Sequence, residues 1–226
     1  MSIQQQVIDL EITLDPEEVL RTMGGVRKGP IKQSIVRMVH EYVGRFQDDI
    51  RPRGVYAVCD VMSIGEGRLH LRDGHVFEGQ IADFLEPAGR VAVFIVTIGE
   101  EIEQAAERRM EQGATLEGFT IDAIGSVAAD SAADAMADHV LWCDAQAGEA
   151  VTLPFSPGYC GMALEEQKTL FSILDSNLVG VELLPTMIMR PIKSVSGLVG
   201  IGPQDRIAAH GIPCERCRVK SCRMRR

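Results

Sequence analysis

Several signals that would assign a function at once are missing from this chain. No apolar run is long enough to cross a bilayer. The longest, residues 91–98, falls far short of the ~20 residues a spanning helix needs and reads as a buried strand. Positive charge is also scarce. Lys and Arg number 23 against 32 Asp and Glu, and the net charge of −9 argues against a general nucleic-acid binder. Met1-Ser2-Ile3-Gln4 has neither the basic nor the apolar region of a secretory signal, so a cytoplasmic protein is expected. In Gly24-Gly25-Val26-Arg27-Lys28-Gly29-Pro30, proline stands where a phosphate loop needs its lysine, which leaves a connector. Gly125-Ser126 lacks the glycine pattern of a nucleophile elbow. Gly197, Gly200 and Gly202 depart from the dinucleotide-binding order, and no helix is expected after them. There is no internal repeat and no low-complexity segment.

What is present is a soluble globular composition. The 226 residues are 46% hydrophobic and 24% charged, enough for one large domain or two small ones with a proper core. Residues 3–14 alternate loosely and predict an opening strand. Asp15-Pro16-Glu17-Glu18 then reads as an N-cap, a proline in the first turn and a reciprocal glutamate. Residues 31–46 form an amphipathic helix with Ile35, Met38, Val39, Tyr42, Val43 and Phe46 on one face. Residues 55–61 are a strand in which Cys59 is a buried small hydrophobe, and glycine turns at 65–67 and 73–74 mark hairpins. The strongest strand, 91–97, leads through Gly99 into a helix over 100–112. One long alanine-rich helix is predicted over 115–143, with Asp122, Asp130, Asp134 and Asp138 read first as a solvated stripe. Strands are expected at 179–184, 186–189 and 194–201. Strands outnumber simple crossovers and hairpins imply antiparallel neighbours. The expected fold class is therefore α+β, with helices packed on a mixed, mainly antiparallel twisted sheet.

Two local features carry chemistry. Phe155-Ser156-Pro157-Gly158-Tyr159-Cys160-Gly161 is a tight turn feeding a helix that opens at Leu164-Glu165-Glu166. The second is the tail, Cys214-x-x-Cys217-x-x-x-x-Cys222. Residues 214–226 hold six Lys/Arg and one acid, so this segment is +5 in a chain of −9. Three thiols within nine residues of a cytoplasmic chain are metal ligands more readily than disulfides. Tetrahedral zinc or an iron–sulfur cluster needs a fourth ligand, with Cys160 first, His210 second and Cys143 third in order of preference. Two units are expected: an α+β domain over 1–207 and a basic, metal-binding tail over 208–226.

Ser156-Pro157-Gly158-Tyr159, then Glu166-Gln167-Lys168-Thr169-Leu170-Phe171, Val179-Gly180-Val181-Glu182-Leu183 and Ser194-Val195-Ser196-Gly197 follow one another at close spacing. This series resembles the C-terminal activation domain of cobalamin-dependent methionine synthase, and most of all the free-standing proteins similar to it. The resemblance covers about residues 152–202 and extends more loosely back to 55. It implies that S-adenosylmethionine binds on the turn, lined by Ser156, Pro157, Gly158 and Tyr159, with Asp134 helping to position the ligand's amine. Pro154 stands where the family usually has an arginine for the ligand carboxylate, and Ile207 where a tyrosine is common. Arg190, Lys193 and Arg206 are the candidate replacements.

The chain has no Asp-x-His-x-x-Gly signature of its own for cobalamin. The resemblance therefore implies an accessory to a methyltransferase, with cobalamin on a partner. That partner would be a corrinoid-dependent methionine synthase or a corrinoid protein, together with a reductant protein. A second reading is an iron–sulfur or zinc module for electron transfer or docking on the same fold, without S-adenosylmethionine. A third makes Cys160 a nucleophile beside His139 or His210.

Overall fold

The computed structural model describes residues 3–24, 31–211 and 213–216. In chain order the elements are β1 (Gln6–Asp9), α1 (Pro16–Thr22), α2 (Gln33–Phe46), β2 (Arg53–Gly65), β3 (Arg68–Leu71) and β4 (Val76–Glu78). Then come α3 (Ile81–Phe84), β5 (Arg90–Thr97), α4 (Glu101–Glu111), α5 (Thr115–Cys143), β6 (Glu149–Val151) and α6 (Gln167–Ile173). The chain continues through β7 (Glu182–Leu183), β8 (Met189–Arg190), β9 (Ser194–Pro203), α7 (Gln204–His210) and α8 (Pro213–Arg216).

The main sheet runs β4-β3-β2-β5-β9-β6, with β1 also on β2. Every pairing among the described residues is antiparallel. At the centre, β5 pairs with β2 from Arg53↔Thr97 to Asp60↔Arg90 and with β9 from Arg90↔Ile201 to Thr97↔Ser194. Both faces of β5 are covered. Ala92, Phe94 and Val96 face the helical layer, meeting Ile102, Ile121 and Met136. Val91, Val93 and Ile95 face a second core with Leu69, Phe77, Ile81 and Leu170. A strand buried on both faces is apolar at every position, which is why its period-2 signal is absent. The expected α+β class holds, with a sheet antiparallel throughout instead of mixed.

The predicted long helix is α5, and glycine lets it sit close to α4. A Cβ on Gly118 would fall 2.5 Å from Met110 Cγ and 2.8 Å from the Ala106 carbonyl oxygen. Its acidic stripe is not uniformly solvated, since Asp122 accepts from Lys193 Nζ at 2.7 Å. At its C-terminal end, Tyr56 of β2 donates its hydroxyl to Asp144 at 3.0 Å and meets His139 Nε2 at 3.2 Å. Burial, then the hydrogen bond to Asp144, pushes the Tyr56 phenol above its ordinary pKa and keeps it a donor.

Some expectations need correction. The opening strand shrinks to β1. Asp15 caps α1 by accepting from the Glu17 amide at 2.9 Å, but Glu18 turns to Arg21 and leaves the reciprocal half of the box unmade. The strands expected at 179–184 and 186–189 are only the two-residue pair β7–β8, with Met187 in left-handed backbone at φ 65° between them. A helix does follow the glycines of β9, namely α7, but β9 has antiparallel neighbours on both sides, so the parallel crossover of a dinucleotide fold is still missing. Cys59 is buried as expected, and its thiol is pushed up to about 12 by desolvation first and Asp73 second.

Candidate ligand site beside the last strand

The glycines of β9 shape the site by letting backbone approach. A Cβ on Gly197 would lie 2.5 Å from the Phe155 carbonyl oxygen, and one on Gly202 would lie 2.4 Å from that of Pro87. With only hydrogen at these positions, residues 152–155 close on the strand at Gly197, and the Pro87 turn closes on it at Gly202. Phe155 and Leu198 exchange both backbone hydrogen bonds, at 2.9 and 2.8 Å. The Thr152 amide donates to the Gly200 carbonyl, and Thr152 Oγ1 accepts from the Gly200 amide, both at 2.9 Å. The Phe155 ring stacks on Phe84 of α3, with centroids 5.9 Å apart and planes 6° from parallel.

This wall, the C-terminal half of α5 and α7 enclose a cavity of about 410 Å³. From α5 come Asp134, Ala137 and Asp138; from the wall, Thr152 to Phe155; from α7 and its end, Ile207, Ala208, His210 and Gly211. His210 Nε2 lies 2.7 Å from the Asp83 carbonyl oxygen, the geometry of a donated bond that ties the end of α7 to α3. Acidic and apolar groups dominate: among the described residues no Lys or Arg lines the cavity.

The turn itself follows the wall. It is closed by Tyr159 N–H to the Ser156 carbonyl at 3.1 Å, Met162 N–H to Tyr159 at 3.0 Å and Gly158 N–H to Met162 at 2.9 Å. Cys160 holds left-handed backbone at φ 51° between Gly158 and Gly161, at φ 89° and 72°. Pro157 is buried, whereas the Tyr159 ring is half exposed. Of the ligand-contact residues expected from sequence, Asp134 lines the cavity, while Ser156, Pro157, Gly158 and Tyr159 form the turn beyond its Pro154–Phe155 rim. Residues 152–153 carry no motif of their own. Gly200, where a Cβ would fall 3.1 Å from Thr152 Cγ2, is the sequence signal that points to Thr152.

Both departures from the resembled pattern, Pro154 and Ile207, sit in the cavity wall. The replacements do not reach it. Lys193 is buried with Nζ on Asp122 and on Ser126 Oγ at 2.9 Å, anchors about 18 and about 12 Å along α5 from Asp134 at the helical rise. Arg206 pairs with Glu86 at 2.9 Å, and Arg190 lies in the β7–β8 pair.

Among the described residues, no three His, Cys, Asp or Glu side chains converge as a metal ligand set. Cys160 and Cys214 are half-buried, and Cys217 and Cys222 lie outside the described residues. His139 is beside Cys143, with Nδ1 3.9 Å from the thiol, and its other nitrogen faces Tyr56. His139 is thus engaged elsewhere than at Cys160, which removes one of the two bases considered for a Cys160 nucleophile.

Residues 71–211 match the family described as the activation domain of vitamin B12-dependent methionine synthase. The chain belongs to that family. Among solved structures, the crystal structure of the MetH reactivation domain bound to AdoHcy is similar over 89% of this chain and 79% of that one. The TM-score is 0.62 at 17% identity, a likeness of fold. No curated protein matches the chain. The matched segment of this activation-domain chain runs from the end of β3 through α7 and so contains every wall of the cavity.

Proposed function

We propose that this activation-domain chain binds S-adenosylmethionine in the cavity between α5, the 152–155 wall and α7. From there it would support reductive re-methylation of a corrinoid on a separate methionine synthase or corrinoid protein, with the electron supplied by a reductant protein. The observation that carries the reading is the cavity itself. Its volume falls within the roughly 300–1,000 Å³ of small-molecule sites, and it lies within the family match. Asp134 and Asp138 favour a ligand bearing a sulfonium and an amine, since opposite charges attract. Phe84, Phe155 and Ile207 offer apolar surface for a nucleoside. Tyr159, half exposed beyond the rim, would lie against the ligand and face the partner, with Ser156, Pro157 and Gly158 holding it there. The bound ligand supplies a methyl group on a positively charged sulfur; this chain's part is to orient it and keep water away. The solved relative's bound AdoHcy is what such a transfer leaves behind.

Calorimetric titration of the full chain with S-adenosylmethionine and with S-adenosylhomocysteine tests the reading. Saturable binding of either at one site per chain is expected, and absence of heat from both contradicts it.

The tail adds a finer proposal. Cys160, Cys214, Cys217 and Cys222 would form a four-thiolate iron–sulfur or zinc centre; the support is their sequence spacing and number. Metal and sulfide analysis after anaerobic purification, with Cys214→Ser as control, tests it. Metal lost in the variant supports the centre, and metal-free protein overturns it.

A further inference from the structure

The helical layer holds a second depression, of about 240 Å³, where the C-terminal turns of α2 and α4 meet beside α5. Its wall carries three guanidinium groups, those of Arg45, Arg108 and Arg109. A basic residue in a helix's last turn is favoured by the helix dipole, which accounts for each arginine singly. The dipole does not require side chains from two helices to open onto one hollow.

Their pairing is uneven. Arg109 Nε lies 3.4 Å from Glu117 Oε2, and that carboxylate also accepts from the Tyr42 hydroxyl. The bond to Glu117 is the largest cause raising the Tyr42 pKa, so Tyr42 stays a donor to Glu117. Among the described residues, Arg45 and Arg108 have no carboxylate within 4 Å, and the Arg45 guanidinium lies 5.8 Å from the Phe46 ring centre. The hollow therefore carries a surplus of about two positive charges in a chain of net −9. Phe46 and Ala105 give it an apolar side, over the buried Ile121.

We propose that this hollow is an anion site for a small phosphorylated organic molecule. Arg45 and Arg108 hold the phosphate, and Phe46 and Ala105 receive the organic part. Guanidinium forks match phosphate oxygens bidentately, and concavity favours an enclosed small anion over the flat face of a protein. The site is independent of the S-adenosylmethionine reading, because it shares no residue with that cavity.

The test is titration of the full chain at low salt with inorganic phosphate, pyrophosphate and ribose 5-phosphate, followed by phosphorus NMR and calorimetry. One saturable site is expected, tighter for ribose 5-phosphate than for inorganic phosphate. Affinity should fall at least tenfold in the double variant Arg45→Ala/Arg108→Ala, whose exposed side chains leave the core intact. It should rise in Glu117→Gln, which removes the opposing charge yet can still accept from Tyr42. No saturable binding by any probe, or binding unchanged in the double variant, overturns the proposal. So does binding of poly-glutamate without binding of the three phosphates, which would make the hollow part of a docking face for an acidic protein.

Discussion

The cavity beside β9 and the hollow between α2 and α4 differ in what holds their walls. In the first, backbone sets the shape. Glycines on a central-sheet strand admit residues 152–155, paired hydrogen bonds lock them, and the acids of α5 complete the lining. In the second, long charged side chains from two helix ends make the wall, and their pairing sets its charge. The backbone-built cavity should be rigid and selective in shape. The side-chain-built hollow should read charge and be sensitive to salt. Within one helical and sheet scaffold, the molecule thus carries an acidic cavity and a basic hollow.

The comparison breaks most severely at Gly197. Valine there would collide with the Phe155 carbonyl oxygen and the Phe94 ring, so Gly197→Val should cost about 3 kcal/mol and separate the wall from β9. Chemical denaturation reads the loss, and phosphate binding at the α2–α4 hollow should persist wherever the variant remains folded. A milder change at Asp134 alters charge without shape. Asp134→Asn should weaken S-adenosylmethionine binding about tenfold, about 1.4 kcal/mol, and leave phosphate affinity unchanged, as paired titrations would show.

The smallest effect lies outside both sites. Glu166 is partly buried after the turn, and desolvation raises its pKa above 4.5 despite hydrogen bonds from the Glu78 amide and Thr169. A raised carboxyl pKa contributes stability that is fully present below the unfolded value and lost as pH rises through the folded one. Glu166→Gln should therefore match the parent in acid and become slightly the more stable as pH climbs past 4.5, seen in melting temperatures across that range. Neither ligand affinity should move.

Much of the scaffold could be read from residue pattern. The 29-residue α5, the central strand and the α1 cap depend on local signals, namely alanine content, an unbroken apolar run and an Asp-Pro start. The β7–β8 pair and α3 are too short for any period to show. α7 has Pro203 and Asp205 at its start, but its seven residues bury no side chain and so show no apolar period. Gly197, Gly200 and Gly202 serve close backbone approach. Of the candidate site, the turn is legible from its Pro-Gly pair, whereas the 152–155 wall depends on pairing with a strand distant in sequence. The meeting of Arg45 with Arg108 depends likewise on how two helices pack, which composition does not encode.

The most direct test of the central claim is a backbone amide chemical-shift map of the full chain titrated with S-adenosylmethionine. Shifts concentrated at Asp134, residues 152–155 and Ile207 to Gly211, with the α2–α4 hollow unmoved, are the predicted result. A flat map, or shifts clustered around Arg45 and Arg108, would contradict it.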